Sequence, residues 1–175
     1  VDGVSVHGRP SEAVCQTPGM DENRREEFLK KFQEPGQESL VGFCVMGGIF
    51  GEGIDLKKDS LIGAVIVGTG LPQVCNEREI LKQFYDSRQE DGFFYAYLCP
   101  GMNKVLQSAG RVIRTDEDEG IILLLDERFS SYRYRQMFPA EWENPSFCTL
   151  GTVEEQTRRF WEMRKAKGRQ RPGCP

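Results

Sequence analysis

Long apolar runs are missing from this sequence of 175 residues. None of its hydrophobic stretches approaches the roughly 20 consecutive residues that a helix needs to span a bilayer. The first residues also lack the basic and apolar regions of a secretory signal peptide. We therefore expect a soluble, cytoplasmic protein with no membrane among its partners.

Clusters of metal-binding residues are missing as well. His7 is the only histidine, and the six cysteines are far apart and include no C-x-x-C pair. Because zinc sites usually combine such pairs with further Cys or His ligands, the sequence predicts no metal site. We expect the cysteines to be reduced thiols, and a disulfide or cluster set is the alternative.

Excess positive charge is the third absence. The formal net charge is -4, with 29% charged and 38% hydrophobic residues, which is typical of a soluble globular protein. Any contact with nucleic acid must therefore be local. The basic segment at the C-terminus could hold a phosphate backbone, although such tails are more often solvated.

Helical and strand patterns alternate along the chain. Amphipathic periodicity and capping residues predict helices at 22–33, 77–87 and 102–114, and a last helix after Thr152. Nearly continuous apolar runs predict buried strands at 40–46, 61–68 and 120–126. Strands separated by helices indicate an α/β fold with a mostly parallel central sheet. We expect one domain at residues 1–150, followed by a C-terminal helix and basic tail at 151–175.

The helix at 77–87 has the most explicit local pattern. Asn76 and Glu79 have the spacing of a capping box, which would satisfy backbone N–H groups at the helix start. Ile80, Leu81 and Phe84 fall on one face, so we expect that face to point inward.

A glycine-rich stretch, MGGIFGEGIDL at residues 46–56, directly follows the first predicted strand. Loops in this position of open α/β sheets contact ligands, and glycine lets backbone N–H groups approach phosphate oxygens. Asp55 could accept a hydrogen bond from a ribose hydroxyl. Neither G-x-x-x-x-G-K-[ST] nor G-x-G-x-x-G occurs in the chain, so a glycine turn without a ligand is the alternative.

The second unusual stretch is QSAGRVIR at residues 107–114. On a helix, Arg111 and Arg114 would lie about 60° apart around the axis and could reach one anion, with Gln107 a turn earlier. Guanidinium groups suit phosphate because their fork is planar and always charged. The alternative is a solvated helix face, or pairing with the acidic residues at 116–119.

Together these segments resemble motif V, motif VI and the following strand of the second RecA-like domain of superfamily two helicases. The order MGGIFGEGIDL, QSAGRVIR, GIILLLDER is closest to the DinG and XPD branch, and the similarity extends over residues 20–145. The resemblance implies a three-layer α/β/α RecA-like domain. The usual opening strand of that domain is not found after Val1.

By this resemblance, three groups of residues acquire roles. Arg111 and Arg114 are implied to be arginine fingers for the γ-phosphate of ATP, and Gln107 to orient the same catalytic site. The residues implied to contact the nucleotide are Gly51, Glu52, Gly53, Asp55 and Gly110. Those implied to lie along the DNA are Gly47, Gly48 and Ile49.

The resemblance also implies what must lie outside this chain. Such helicases carry a Walker A lysine and a DExH or DExx magnesium site in a first RecA-like domain, and neither occurs here, since DERF at 126–129 comes after the arginine motif. ATP and Mg²⁺ would therefore be held mainly by that first domain of the same polypeptide. The iron–sulfur cysteines of this branch also belong to it, so no iron–sulfur cluster is expected in this chain.

The implied function is the C-terminal motor half of an ATP-dependent DNA helicase that moves 5′ to 3′ along single-stranded DNA and is inactive without its first domain. Two alternatives remain open. One is an idle RecA-like module that binds nucleic acid or protein, and the other is a metabolic enzyme that uses the glycine loop for a nucleotide.

Overall fold

The structure is a computed structural model that describes residues 4–6, 9–34, 39–50, 61–113, 118–142 and 144–168. The chain divides into two compact units, Val1–Gln136 and Met137–Pro175. The strands are β1 (Val4–Val6), β2 (Arg9–Cys15), β3 (Ser39–Phe43), β4 (Gly63–Val67) and β5 (Ile121–Leu125). The helices are α1 (Glu22–Gln33), α2 (Asn76–Asp86), α3 (Cys99–Ala109), α4 (Tyr132–Arg135) and α5 (Val153–Gly168). A π-helical segment (Phe94–Leu98) precedes α3, and two 3-10 turns occupy Glu127–Ser130 and Ala140–Trp142.

The described strands form two sheets in the first unit. One sheet has the order β1-β2-β3, with β1 antiparallel to β2 and β2 parallel to β3, and in the other β4 is parallel to β5. Helices connect the parallel strands, so the predicted α/β class is confirmed. The predicted strands at 40–46, 61–68 and 120–126 are confirmed as β3, β4 and β5, each somewhat shorter. β2 was not predicted, because its sequence RPSEAVC contains a proline and three polar residues and no apolar run.

The helix α1 begins and ends where the sequence predicts. The Asp21 carboxylate caps it by accepting a hydrogen bond from the Arg24 backbone N–H at 2.9 Å. On its inner face, Phe28 stacks on Phe50 with ring centroids 4.3 Å apart, and a Cβ at Gly42 would lie only 2.7 Å from the Phe32 ring. The absence of a side chain at Gly42 therefore lets the α1 rings lie directly on β3.

The helix α3 and the π segment before it form the most buried part of the first unit. Their buried side chains are Ala96, Tyr97, Leu98, Met102, Val105 and Ala109. Pro100 has no N–H to donate to the carbonyl of Ala96, four residues earlier, and the Arg78 guanidinium donates to that carbonyl at 2.8 Å. The Tyr97 hydroxyl donates to the Glu79 carboxylate at 2.5 Å, so two side chains of α2 anchor this segment.

The predicted features of α2 were partly wrong. Its N-cap is Cys75, Asn76 is already the first helical residue, and no side-chain cap hydrogen bond forms, so the predicted capping box is absent. The Glu79 carboxylate accepts a hydrogen bond from Tyr97 instead. The face expected to point inward is exposed: Ile80 is 68%, Phe84 47% and Leu81 40% accessible. The helical period was read correctly, but within the described residues no element covers that face.

The second unit contains α5, which begins at Val153 as predicted from Thr152. The Thr152 hydroxyl accepts a hydrogen bond from the Thr149 backbone N–H at 2.9 Å, which closes the turn before the helix. Phe160 and Trp161 pack edge to face with centroids 5.0 Å apart. Over the part of the chain that the structure describes, no helix is long and apolar enough to cross a membrane.

Candidate functional site

The helix that carries QSAGRVIR ends before its arginines. Gly110 caps α3, and beyond it the Arg111 N–H donates to the Ser108 carbonyl at 3.3 Å and the Val112 N–H to the Ala109 carbonyl at 3.0 Å. Bonds of this three-residue type form a tight turn, which we call the arginine turn (residues 110–113). The prediction of a helix extending to residue 114 was therefore wrong, and the low helix propensity of Gly110 explains the early end.

Gly120 explains why the chain turns back at this point. A Cβ at Gly120 would lie 2.2 Å from Cγ1 of Val112 and 3.0 Å from the Ile62 carbonyl oxygen. The backbone N–H of Ile121, the first residue of β5, donates to the same Ile62 carbonyl at 3.1 Å. Val112 is thus buried against the start of β5, which fixes the arginine turn to the sheet.

The predicted catalytic residues differ in burial and in the element that carries them. Gln107 is exposed on α3, and Arg111 lies half-buried in the arginine turn, with its Nε atom buried. Gly110 is exposed at the helix end. Arg114 lies outside the described residues. The structure therefore places Gln107 and Arg111 near each other along the chain, at the end of α3 and in the turn that follows it.

The loop after β3 begins with a tight turn, the glycine turn (residues 45–48). Gly47 has a φ of +72°, a left-handed conformation that side chains disfavour, and the Gly48 N–H donates to the Val45 carbonyl at 2.9 Å. The Gln16 side chain accepts a hydrogen bond from the Val45 N–H at 2.9 Å. After the turn, the Arg25 guanidinium donates to the Ile49 carbonyl at 3.2 Å. Side chains from two other segments therefore hold this loop.

Gln16 and Arg25 were not predicted as site residues, and no local pattern marks them. Gln16 follows β2, which was itself unpredicted, and Arg25 lies on the polar side of an ordinary amphipathic helix. Ile49, which was predicted to lie along DNA, is about one-third accessible, so its side chain remains available at the surface.

The glycine turn and α3 are in direct contact. The ideal Cβ position of Gly47 is 3.0 Å from Cδ, 3.1 Å from Cε and 3.4 Å from Cγ of Lys104. Lys104 and Gln107 are three residues apart on α3, so they share one face of the helix. The aliphatic stem of Lys104 thus joins the two segments that the sequence singled out separately.

The loop after β4 approaches the other end of α3. A Cβ at Gly70 would lie 2.8 Å from the Gly101 carbonyl oxygen and 3.1 Å from Sδ of Met46, and a Cβ at Gly101 would lie 2.8 Å from the Thr69 carbonyl oxygen. The loops that follow the parallel strands β3 and β4 therefore meet beside α3. Carboxyl ends of parallel strands are the usual place for ligands in open α/β sheets.

Several predicted nucleotide contacts cannot be placed. Gly51, Glu52, Gly53 and Asp55 lie outside the described residues. Among the residues that are described, no three His, Cys, Asp or Glu side chains come together in a way that could hold a metal ion.

Asp126, at the end of β5, is engaged within its own turn. Its carboxylate accepts hydrogen bonds from the Arg128 backbone N–H at 3.0 Å and from the Arg128 guanidinium at 2.8 and 2.7 Å. The hydrogen bonds from the Arg128 side chain lower the pKa of Asp126 below its ordinary value. This arrangement fits a capped 3-10 turn.

Comparisons with known proteins fit this arrangement. A sequence profile described as the helicase C-terminal domain matches residues 5–145. A protein of Methanocaldococcus jannaschii named "Probable ATP-dependent helicase" is 29% identical over 128 residues, which make up 68% of this chain and 19% of that protein. The ATP-dependent DNA helicase DinG of Photobacterium profundum is 30% identical over 115 residues, 65% of this chain and 16% of that protein.

Among solved structures, an XPD helicase matches 71% of this chain and 22% of its own, with a TM-score of 0.56 and 21% identity. This similarity confirms the predicted α/β RecA-like fold. The resemblance to the DinG and XPD branch is also confirmed. The chain spans less than a quarter of the length of each of these proteins.

Proposed function

Because the chain belongs to the family of helicase C-terminal domains, we propose that it is the second motor domain of an ATP-dependent DNA helicase of the DinG and XPD type. The observation that carries this proposal is the contact between Gly47 and Lys104. It joins the glycine turn, whose motif resembles the DNA-side motif V, to the helix that leads into the arginine motif.

In this proposal Arg111 and Arg114 act as arginine fingers, and Gln107 orients the same site. The half-buried position of Arg111 in a turn that is packed against β5 supports this role, because a finger must be held at a fixed place. A guanidinium supplied from outside the nucleotide-binding domain stabilises the charge on the transferring phosphoryl group, which is worth about 10³- to 10⁵-fold in rate.

The nucleotide and its Mg²⁺ would be held mainly by a first RecA-like domain of the same polypeptide. The cationic and amide side chains at and after the end of α3 suit the phosphates of ATP. Of the residues expected at the nucleotide, Gly110 directly precedes Arg111, and we propose that Gly51, Glu52, Gly53 and Asp55 also contact the nucleotide.

Single-stranded DNA would run along the glycine turn. The left-handed backbone of Gly47 and the tight turn at Gly48 bring main chain to the surface, where phosphate oxygens can approach. Ile49 follows directly and offers an apolar side chain to a sugar or base. We propose that Gly47, Gly48 and Ile49 form this domain's part of the DNA path.

Unwinding by the full-length protein tests this function. Partial duplexes with a 5′ or a 3′ single-stranded tail are incubated with the protein, ATP and Mg²⁺, and strand release is followed by fluorescence. We expect release of the 5′-tailed duplex only, and only when ATP is hydrolysed. Absence of DNA-stimulated ATP hydrolysis would contradict the proposal and favour an idle binding module, while release of the 3′-tailed duplex would contradict the direction alone.

A further inference from the structure

Lys104 is a half-buried lysine at the junction of the glycine turn and α3. Its stem crosses Gly47, with Cγ, Cδ and Cε all within 3.4 Å of the ideal Cβ position. The ammonium group, one bond beyond Cε, therefore lies beside the glycine turn. Among the described ion pairs none includes Lys104, although six other lysines and arginines of the first unit are paired with carboxylates.

An arrangement of this kind needs a physical reason. A lysine stem that is held against backbone loses rotamer freedom, and an anion bound to its ammonium group would offset that cost. The usual solution is a nearby aspartate or glutamate, and the described residues supply none to Lys104.

We propose that Lys104 binds a phosphate group at the seam between the glycine turn and α3. This inference rests on the proposed function and deepens it, since it adds a cation that the motifs do not include. The phosphate could come from ATP or from the backbone of single-stranded DNA, because Gln107 and Arg111 follow Lys104 on one side and the glycine turn lies on the other. An ammonium suits either, as a compact charge with three rotatable donors.

Two substitutions in the full-length protein separate the charge from the stem. Lys104→Met keeps an unbranched apolar stem against Gly47 and removes the ammonium, whereas Lys104→Arg keeps a positive charge. Lys30→Gln is the control for the loss of one positive charge, because Lys30 is an exposed residue of α1 that pairs with Glu34. Melting temperature, Kd for an oligothymidylate at several salt concentrations, and KM and kcat for ATP are measured on each protein.

If the phosphate belongs to DNA, Lys104→Met weakens oligothymidylate binding about three- to tenfold and lowers the slope of log K against log salt by about 0.7, with KM for ATP unchanged. If it belongs to the nucleotide, KM for ATP rises at least about fivefold with DNA affinity unchanged. In both cases Lys104→Arg keeps an oligothymidylate affinity and a KM for ATP close to those of the unaltered protein, and Lys30→Gln does not differ from the unaltered protein in either quantity.

The proposal is overturned if the Kd for oligothymidylate and the KM for ATP of Lys104→Met both lie within about twofold of the values of Lys30→Gln. It is also overturned if Lys104→Met fails to fold, because the ammonium would then support the fold and not a ligand. Should the unaltered protein hydrolyse no ATP, the proposed function fails, and the salt dependence of oligothymidylate binding still decides the role of Lys104.

Discussion

At the scale of single residues, glycines determine how closely the loops approach α3. Gly70 and Gly101 meet backbone to backbone, and Gly120 leaves room for Val112. At each of these positions the nearest neighbour of an added Cβ lies within 2.8 Å, a distance that real Cβ contacts essentially never show. We therefore expect substitutions at these three glycines to cost more stability than substitutions elsewhere in the loops.

Substituting Gly101 tests this close approach. Gly101→Ala should favour the helix by up to about 1 kcal/mol through backbone entropy, but its Cβ would meet the Thr69 carbonyl oxygen at 2.8 Å. Overpacking against backbone typically costs about 1–3 kcal/mol, so we expect a net loss of stability in urea denaturation. Gly110→Ala is the matched control, since its Cβ meets nothing nearer than the Leu106 carbonyl at 3.3 Å. Equal stability of the two variants would contradict the tight contact.

The candidate site could be predicted from the sequence only where a motif marked it. Gln107, Gly110 and Arg111 were predicted as site residues from QSAGRVIR, and the structure places Gln107 on α3 and the other two at and after its end. Their roles stay predictions. Gln16 and Arg25 were missed because they act through the fold: each bonds to a backbone group of a loop about 24 to 29 residues away in sequence. Such contacts leave no spacing that a reader of the sequence could recognise.

At the scale of elements, apolar continuity was the reliable signal. β3, β4 and β5 are short strands, and each was predicted from a nearly continuous apolar run. β2 pairs just as fully with β3, yet its residues are mostly polar or small, so its strand character comes from the neighbouring strand. The end of α3 was misjudged for the opposite reason, because Val112 and Ile113 continue the helical spacing beyond the glycine that ends the helix.

The hydrogen bond between Tyr97 of the π segment and Glu79 of α2 predicts how stability changes at alkaline pH. The hydrogen bond to Glu79 raises the pKa of Tyr97 to about 12, from an ordinary value near 10. Because the folded state favours the neutral phenol, its contribution to stability is complete below about pH 10 and is lost as the pH rises toward 12. We expect the free energy of unfolding to fall over this window, and less so in Tyr97→Phe. A phenolate absorbance titration in which all tyrosines ionise near pH 10 would contradict the bond.

At the scale of the whole molecule, the charge is unfavourable for nucleic acid. A net charge of -4 repels a phosphate backbone, so binding must depend on local groups such as Lys104 and the glycine turn. The chain spans less than a quarter of the length of each of these relatives, so we expect the proposed activity only of a full-length protein.

The 175-residue chain on its own should therefore neither hydrolyse ATP nor bind single-stranded DNA tightly. We expect no measurable ATP hydrolysis, because the chain lacks a Walker A lysine, and only weak binding of single-stranded DNA that falls steeply with salt. Calorimetry with ATP and fluorescence anisotropy with an oligonucleotide provide the readouts. Micromolar affinity for ATP would show that the nucleotide is held here and not mainly in a first domain.

The central claim is that Arg111 acts on ATP held outside this domain, and Arg111→Ala in the full-length helicase tests it most directly. Arg24→Ala, at an exposed position of α1, serves as the control. Since Arg111 is half-buried, its loss should reduce stability by about 1–2 kcal/mol, which is checked by melting the same preparations.

The decisive quantity is DNA-stimulated kcat for ATP, measured under conditions where every variant is folded. We predict a fall of about 10²-fold or more in Arg111→Ala with DNA affinity largely retained, because a finger stabilises chiefly the transition state, and no change in Arg24→Ala. If Arg111 only pairs with the acidic residues that follow it, kcat will stay within about twofold of the unaltered enzyme. That result would contradict the account.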